Sequence, residues 1–356
     1  MKALVFTGPG MLELHDVPEP EVADGDVLVH VRAVGICGSE LHGARHPGFR
    51  KPPLIMGHEF AGTSADGDRV IVNPMLSCGF CQLCLGGLRQ VCRERQIIGV
   101  HRAGGFAERV AVPGSALRPL PDWLGWEAAA MVEPAANAVH AWNLASAGAG
   151  AGTGAAAGAG VAAGAGAAAG AGTAAGAAEA AGAGVVAGAG VAAPGARVAV
   201  LGCGAIGLFC LLAALAGGAA SVDVTDLDPG RLAQARRLGA AAAGPGLDGE
   251  YDMIFDAVGS PVTRALSVQH QRPGGTAVWL GLAQEAAGFD ANALIRAEKR
   301  VLGSFAYSDE EFGRAAELLR NWDLSWTSHY PLAEGAEIFT RLMNGGLQPV
   351  KALLVP

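Results

Sequence analysis

No run of about 18 bulky apolar residues, the length needed to cross a bilayer, occurs in this chain, although 51% of its 356 residues are hydrophobic. A long Ala/Gly stretch is apolar but too weakly hydrophobic to serve, so no membrane partner is expected. No leader is expected either. Met1-Lys2-Ala3-Leu4-Val5-Phe6 has no basic region ahead of an apolar core and cleavage site, and it reads as a first strand. A cytoplasmic location is therefore expected. Blocks of Lys or Arg are absent, and at a formal net charge of -8 nothing draws the chain to nucleic acid. Without an export signal, the seven cysteines point to metal or catalytic chemistry rather than disulfides.

The chain is long enough for two domains, each with its own core, since domains most often run about 100 to 200 residues. From Met1 to about Leu120, short alternating or β-branched runs such as Asp26–Arg32, Arg69–Val72 and Phe106–Val112 are punctuated by Gly and Pro. They predict an antiparallel, barrel-like all-β domain with its functional residues on loops. Trp126–Ala145 turns helical, with a break expected at Pro134. Residues 145–194 form a low-complexity insertion of Ala and Gly whose only charge is Glu179. Side chains this small bury too little to offset ordering, so a flexible linker is expected, with a packing or self-association element as the alternative. Residues 195–306 then alternate strand and helix, with strands at Arg197–Leu201, Ser221–Thr225, Asp252–Phe255 and Thr276–Leu280. That alternation predicts a doubly wound parallel sheet. Residues 307–356 hold an amphipathic helix at Asp309–Trp322 and a closing strand at Lys351–Val355, and this tail is expected to return to the first domain, 1–144.

Three motifs carry chemistry. Cys78-Gly79-Phe80-Cys81-Gln82-Leu83-Cys84, with Cys92 beyond it, can close four thiolates around zinc at about 2.3 Å. A closed four-sulfur site leaves no room for substrate, so its role is structural; an iron–sulfur cluster is the competing reading. Cys37-Gly38-Ser39-Glu40-Leu41-His42 with Gly57-His58-Glu59 supplies a thiolate, a hydroxyl, an imidazole and a carboxylate, the groups of an open zinc site, and Glu133 offers a further oxygen. Finally, Gly202-Cys203-Gly204-Ala205-Ile206-Gly207 joins a strand to an apolar helix. In that setting backbone N–H groups and a helix N-terminus meet a pyrophosphate. Asp226 ends the next strand, where a carboxylate accepts hydrogen bonds from ribose hydroxyls and repels a 2′-phosphate, favouring NAD over NADP; Arg231 nearby works against that preference.

With these motifs in this order, the chain resembles the zinc-dependent medium-chain alcohol dehydrogenases, closest to the polyol (sorbitol-like) and threonine dehydrogenase branch. The resemblance implies a GroES-like β-barrel catalytic domain joined to a Rossmann domain, two zinc ions per chain and a homodimer or homotetramer. It makes Cys37, His58 and Glu133 the catalytic zinc ligands, with Glu59 a neighbouring carboxylate that exchanges onto the metal. Ser39 matches the hydroxyl that takes the alcohol proton, and His42 the end of the relay to solvent. Gly202, Gly204, Ala205, Ile206, Gly207, Asp226 and Arg231 fall at the cofactor. The implied reaction moves a hydride between a secondary alcohol and nicotinamide, with zinc as the Lewis acid.

Two features depart from the family pattern. Glu40 stands where aspartate is common, and a contact with Lys351 is expected, which would also put Lys351 near the cofactor pyrophosphate. The Ala/Gly insertion falls between the domains. A non-catalytic NAD-binding protein of the same fold is the rival reading, opposed by the joined metal, hydroxyl and imidazole groups. Phe49, Trp279 and Phe305 are candidate pocket walls.

Overall fold

The computed structural model describes residues 1–46, 50–149, 195–285 and 288–356. Most of the Ala/Gly insertion, and Phe49, lie outside the described residues.

The first domain is built on Asp26–Ile36, an 11-residue strand. Its Val29, Val31, Ala33, Val34 and Ile36 are buried, and β-branched side chains of this kind pack well on a pleated sheet. Glu59–Ser64 lies antiparallel along one side; Arg109–Pro113 and Lys351–Val355 share the other. The last strand thus carries the tail back to the first domain. Register then does the positioning. Gly35 stands opposite Glu59 and also opposite Leu353, and Ile36 stands opposite Ala352. In antiparallel pairs the end of one strand adjoins the start of its neighbours. Cys37, His58, Glu59 and Lys351 consequently meet at one end of the sheet.

Two helices follow the barrel, Trp126–Ala130 and Val132–Ala149. The break falls at Met131 instead of Pro134, because Pro134 sits in the first turn of the second helix, where a missing N–H costs no intrahelical bond. Val132–Ala149 packs on Ala205–Ala216 and on Asp309–Leu318, so it ties the two domains together. The expected helix over Asp309–Trp322 ends at Leu318 and tightens into a 3-10 turn, Leu319–Asn321. The regular strand expected from Phe106 starts at Arg109, with Ala107 making only an isolated bridge to Ala3.

In the second domain six parallel strands lie in the spatial order Ala242–Gly244, Ser221–Thr225, Arg197–Leu201, Tyr251–Asp256, Gln271–Trp279, Arg300–Gly303. Val198, Ala199, Val200 and Leu201 are all buried, as a strand covered on both faces requires. Chain order reverses on either side of Arg197–Leu201, and ligands of such sheets sit at that switch point. Among the described residues, no helix is long and apolar enough to cross a membrane.

Candidate active site and metal centres

Cys37, His58 and Glu59 present one ligand atom each, all within 4.8 Å of one another. Glu40 sets this arrangement. Its fully buried carboxylate accepts from the Gly57 N–H at 2.8 Å and the Cys37 N–H at 3.0 Å, and it pairs with His58 Nδ1 at 3.2 Å. A carboxylate only accepts, so Nδ1 carries the proton and Nε2 keeps its lone pair for a metal. Burial pushes the Glu40 carboxyl up, but His58, Arg50 and the Cys37 N–H together bring it below its ordinary range. For His58 burial acts downward, and Glu40 and Cys37 outweigh it, raising the metal-free imidazole well above its ordinary value, so a metal at Nε2 would take the place of a proton while Nδ1–H stays on Glu40.

The contact expected between Glu40 and Lys351 does not form. Lys351 Nζ pairs with Glu59 Oε2 instead, both side chains nearly inaccessible at 4% and 0%. The strand register explains this, since Lys351 and Glu59 flank Gly35 from opposite sides. A Cβ on Gly35 would lie 2.1 Å from Glu59 Oε2 and 2.9 Å from Lys351 Cε, so only glycine leaves room for the pair. Glu40, drawn back to the start of its own helix, is occupied by His58. Glu59 Oε1 is buried without a hydrogen-bond partner among the described residues, an orphan that fits a cation.

Glu133 is buried in the first turn of Val132–Ala149 but stands outside the three-ligand cluster. Its Oε1 accepts from the Tyr307 hydroxyl at 3.1 Å and from Asn137 Nδ2 at 3.3 Å. Burial, with the Glu59 charge adding to it against His58 and Lys351, lifts the carboxyl to about 7. Tyr307 was not legible as a site residue: 174 positions separate it from Glu133, and no motif marks it. Ser39 and His42 lie three residues apart on Gly38–Arg45, hence on one face. The Ser39 N–H donates to Cys37 Sγ at 3.4 Å. His42 stacks on His46 with ring centroids 4.2 Å apart, and partial burial together with His46 and Arg45 lowers its pKa.

The four loop thiols converge. Sγ–Sγ separations are 3.8 Å for Cys78–Cys84, 3.5 Å for Cys81–Cys84, 3.8 Å for Cys81–Cys92 and 3.6 Å for Cys78–Cys92. The edge of a tetrahedron of sulfurs about 2.3 Å from one zinc is about 3.8 Å. This spacing suits a single ion. Backbone N–H groups of Phe80 and Cys81 bring the Cys78 thiol down to about 6, toward the thiolate a metal needs. Cys203 and Cys210, by contrast, are buried thiols pushed up to about 12.

A cleft of about 1110 Å³ runs from Cys37, Glu59 and Lys351 to Gly204, Asp226 and Arg231. Lys351 thus lines the cleft while its charge is spent on Glu59. At the glycine turn, a Cβ on Gly207 would fall 1.8 Å from the Gly202 carbonyl oxygen, whereas one on Gly204 would meet nothing within 4 Å. The first lets helix Ala205–Ala216 close on its strand; the second leaves a cradle a pyrophosphate can approach. Asp226 accepts from the Cys203 N–H at 2.7 Å and the Asp228 N–H at 2.9 Å. The helix cap is Asp228, not Asp226, so the Asp226 carboxylate faces the cleft with lone pairs to spare. Arg231 is partly buried, its Nε without a partner among the described residues. Of the proposed pocket walls, Trp279 packs on Phe289 and bonds Ser267, away from the cleft. Phe305 lies beneath the Arg95 guanidinium.

Residues 23–122 match the family model of the alcohol dehydrogenase GroES-like domain, and residues 205–321 that of the zinc-binding dehydrogenases. An L-threonine 3-dehydrogenase of Streptomyces coelicolor is 31% identical over 80% of this chain and 78% of its own. An L-galactonate-5-dehydrogenase of Escherichia coli is 27% identical over 99% and 98%. This chain belongs to the zinc-dependent medium-chain alcohol dehydrogenases. A Sinorhizobium meliloti structure bound to NADP superposes with a TM-score of 0.80 at 27% identity, covering 100% of this chain and 99% of the other. As a member of the alcohol dehydrogenase family, the chain is an oxidoreductase that uses zinc and a nicotinamide cofactor to interconvert secondary alcohols and carbonyls.

Proposed function

We propose that the enzyme oxidises a secondary hydroxyl on a small polar molecule, a polyol, hydroxy acid or amino alcohol, with NAD as the acceptor. The observation that carries this is the single cleft joining Cys37 and Glu59 at one end to Gly204 and Asp226 at the other. Support for the substrate class comes from the relatives, one named for the 3-hydroxyl of L-threonine and one for the 5-position of L-galactonate. Asp226 supports NAD, since a 2′-phosphate beside it meets like charge.

In this reading the chain divides into 1–144 with 307–356 as the catalytic unit and 195–306 as the cofactor unit. Two zinc ions are held per chain, one by Cys78, Cys81, Cys84 and Cys92 and one in the cleft. Cys37 and His58 are the fixed ligands of the second, and the Glu59 and Glu133 carboxylates share the remaining protein position. When bound, this zinc supplies a Lewis acid and the dinucleotide a hydride acceptor. The protein's own groups handle the proton. Ser39 Oγ accepts it from the substrate hydroxyl, and the His42 imidazole, pKa lowered and half-buried, passes it to solvent. Glu40 keeps His58 oriented throughout, and Gly202, Gly204, Ala205, Ile206 and Gly207 hold the pyrophosphate.

The enzyme is proposed to be cytoplasmic, with no nucleic-acid or membrane partner, and a homodimer or homotetramer. Arg300–Gly303 is an edge strand of the cofactor sheet, and Leu282 and Ile295 nearby in sequence are 67% and 68% exposed, which suits edge-to-edge pairing. The deciding assay is NADH formation across polyols, hydroxy acids, amino alcohols and simple alcohols, paired with zinc analysis. Turnover confined to simple alcohols, or none with two zinc ions bound, would overturn the reading.

A further inference from the structure

The segment Phe305–Asp309 leaves the last strand of the cofactor sheet and crosses to the catalytic domain. Both of its ends are fastened to the lobe that carries the four cysteines or to the sheet beneath it. Arg95, whose side chain donates to the Cys92 carbonyl at 3.2 Å, lies over the Phe305 ring at 5.0 Å. Asp309 accepts from Asn73 Nδ2 at 2.8 Å and Arg118 at 2.9 Å, and it pairs with Arg89 of the lobe at 3.6 Å. Between these anchors Ala306 adopts φ +52°, a left-handed conformation that is unfavourable for a non-glycine residue. Such strain persists only where the surroundings impose it. Here it accompanies a Tyr307 ring that is 2% exposed, lies 5.5 Å from Phe312, and brings its hydroxyl to Glu133 Oε1.

We propose that Tyr307 is a positioning residue for the catalytic metal, holding Glu133 Oε1 so that Oε2 is presented to the zinc, and that the four-cysteine lobe sets this geometry through the strap 305–309. The physical basis is the carboxylate's freedom. An unanchored Glu rotates about its terminal torsion over a broad range, whereas one oxygen occupied by a phenol and by Asn137 leaves a single oxygen in a defined direction. Outer partners of metal ligands act in this way generally. The proposal rests on the reading of Cys37, His58 and Glu133 as metal ligands.

The test is zinc retention rather than turnover. Full-length protein is dialysed against a graded zinc buffer and zinc per chain is counted, with the four-cysteine ion as the internal reference. Tyr307→Phe keeps the ring against Phe312 and removes only the hydroxyl. It should weaken the second zinc about 10- to 100-fold and leave the first unchanged. In a Glu133→Ala background the same substitution should have no further effect. Asp309→Asn, which leaves the phenol in place but loosens the strap, should weaken the same zinc while sparing the other, and it serves if Tyr307→Phe does not fold. One zinc per wild-type chain would overturn the ligand reading and the proposal together. Two zincs in the wild type, with Tyr307→Phe matching it or with an equal loss in the Glu133→Ala background, would overturn the proposal alone.

Discussion

Replacing Lys351 by Met keeps most of the side-chain stem and removes one charge from a pair that water scarcely reaches. Lys351 is 4% exposed and Glu59 0%, so neither charge is screened. Burial pulls the Lys351 pKa down, yet Glu59 and Cys37 more than compensate, so it lies above its ordinary value and the ammonium is charged at neutral pH. Lys351→Met strands a buried carboxylate. Breaking a buried pair from one side costs about 3–5 kcal/mol. At about 2–4 °C per kcal/mol for a domain of this size, the thermal midpoint should fall by about 6–20 °C. Thermal unfolding measures it on protein stripped of the cleft zinc but keeping the four-cysteine zinc, since a metal beside Glu59 would itself pair the stranded carboxylate. Adding Glu59→Gln should recover much of the loss, because removing both charges leaves no unpaired ion. A fall worth less than about 1 kcal/mol for the single variant, or no recovery in the double, would refute the reasoning that this pair anchors the site.

Gly35→Ala should destabilise the fold by about 1–3 kcal/mol and lower zinc occupancy, since its Cβ lies 2.1 Å from Glu59 Oε2; an unchanged midpoint and full occupancy would count against the packing argument. Asp226→Ser should move the NAD-to-NADP ratio of kcat/KM about tenfold toward NADP, the worth of one hydrogen bond to a charged group, and an unmoved ratio would remove Asp226 from the ribose site. Glu311 is partly buried, which raises its pKa, but His140 at 2.8 Å, the Ser308 N–H and Asn143 bring the net value below 4.5. Its stabilisation is therefore complete above pH 4.5 and lost as pH falls through the lowered folded value. Wild type should lose stability more steeply than Glu311→Gln below pH 4.5, and parallel acid melts would refute this.

Much of this molecule was written locally. The strand Ser221–Thr225 and the closing strand Lys351–Val355 have the bounds their residues predict, because short apolar or β-branched runs next to turn residues need little outside help to declare themselves. The four-cysteine loop was legible for the same reason: all its ligands lie within 15 residues of chain. The glycine turn and Asp226 followed from a strand-to-helix junction whose spacing is set by one βαβ unit.

What sequence could not settle were pairings between distant segments. Glu40 was expected to meet Lys351, and composition does not say which partner a barrel brings near; the fold gave Glu40 to His58 and Lys351 to Glu59. Tyr307 meets Glu133 only because a strap from one domain crosses to a helix of the other. The sequence by itself determined which groups were available and which motifs would form, since helix, strand and metal-loop preferences are short-range. Tertiary structure alone decided which charge faces which, because an antiparallel sheet joins strand ends that are hundreds of residues apart and a register step would have exchanged the partners.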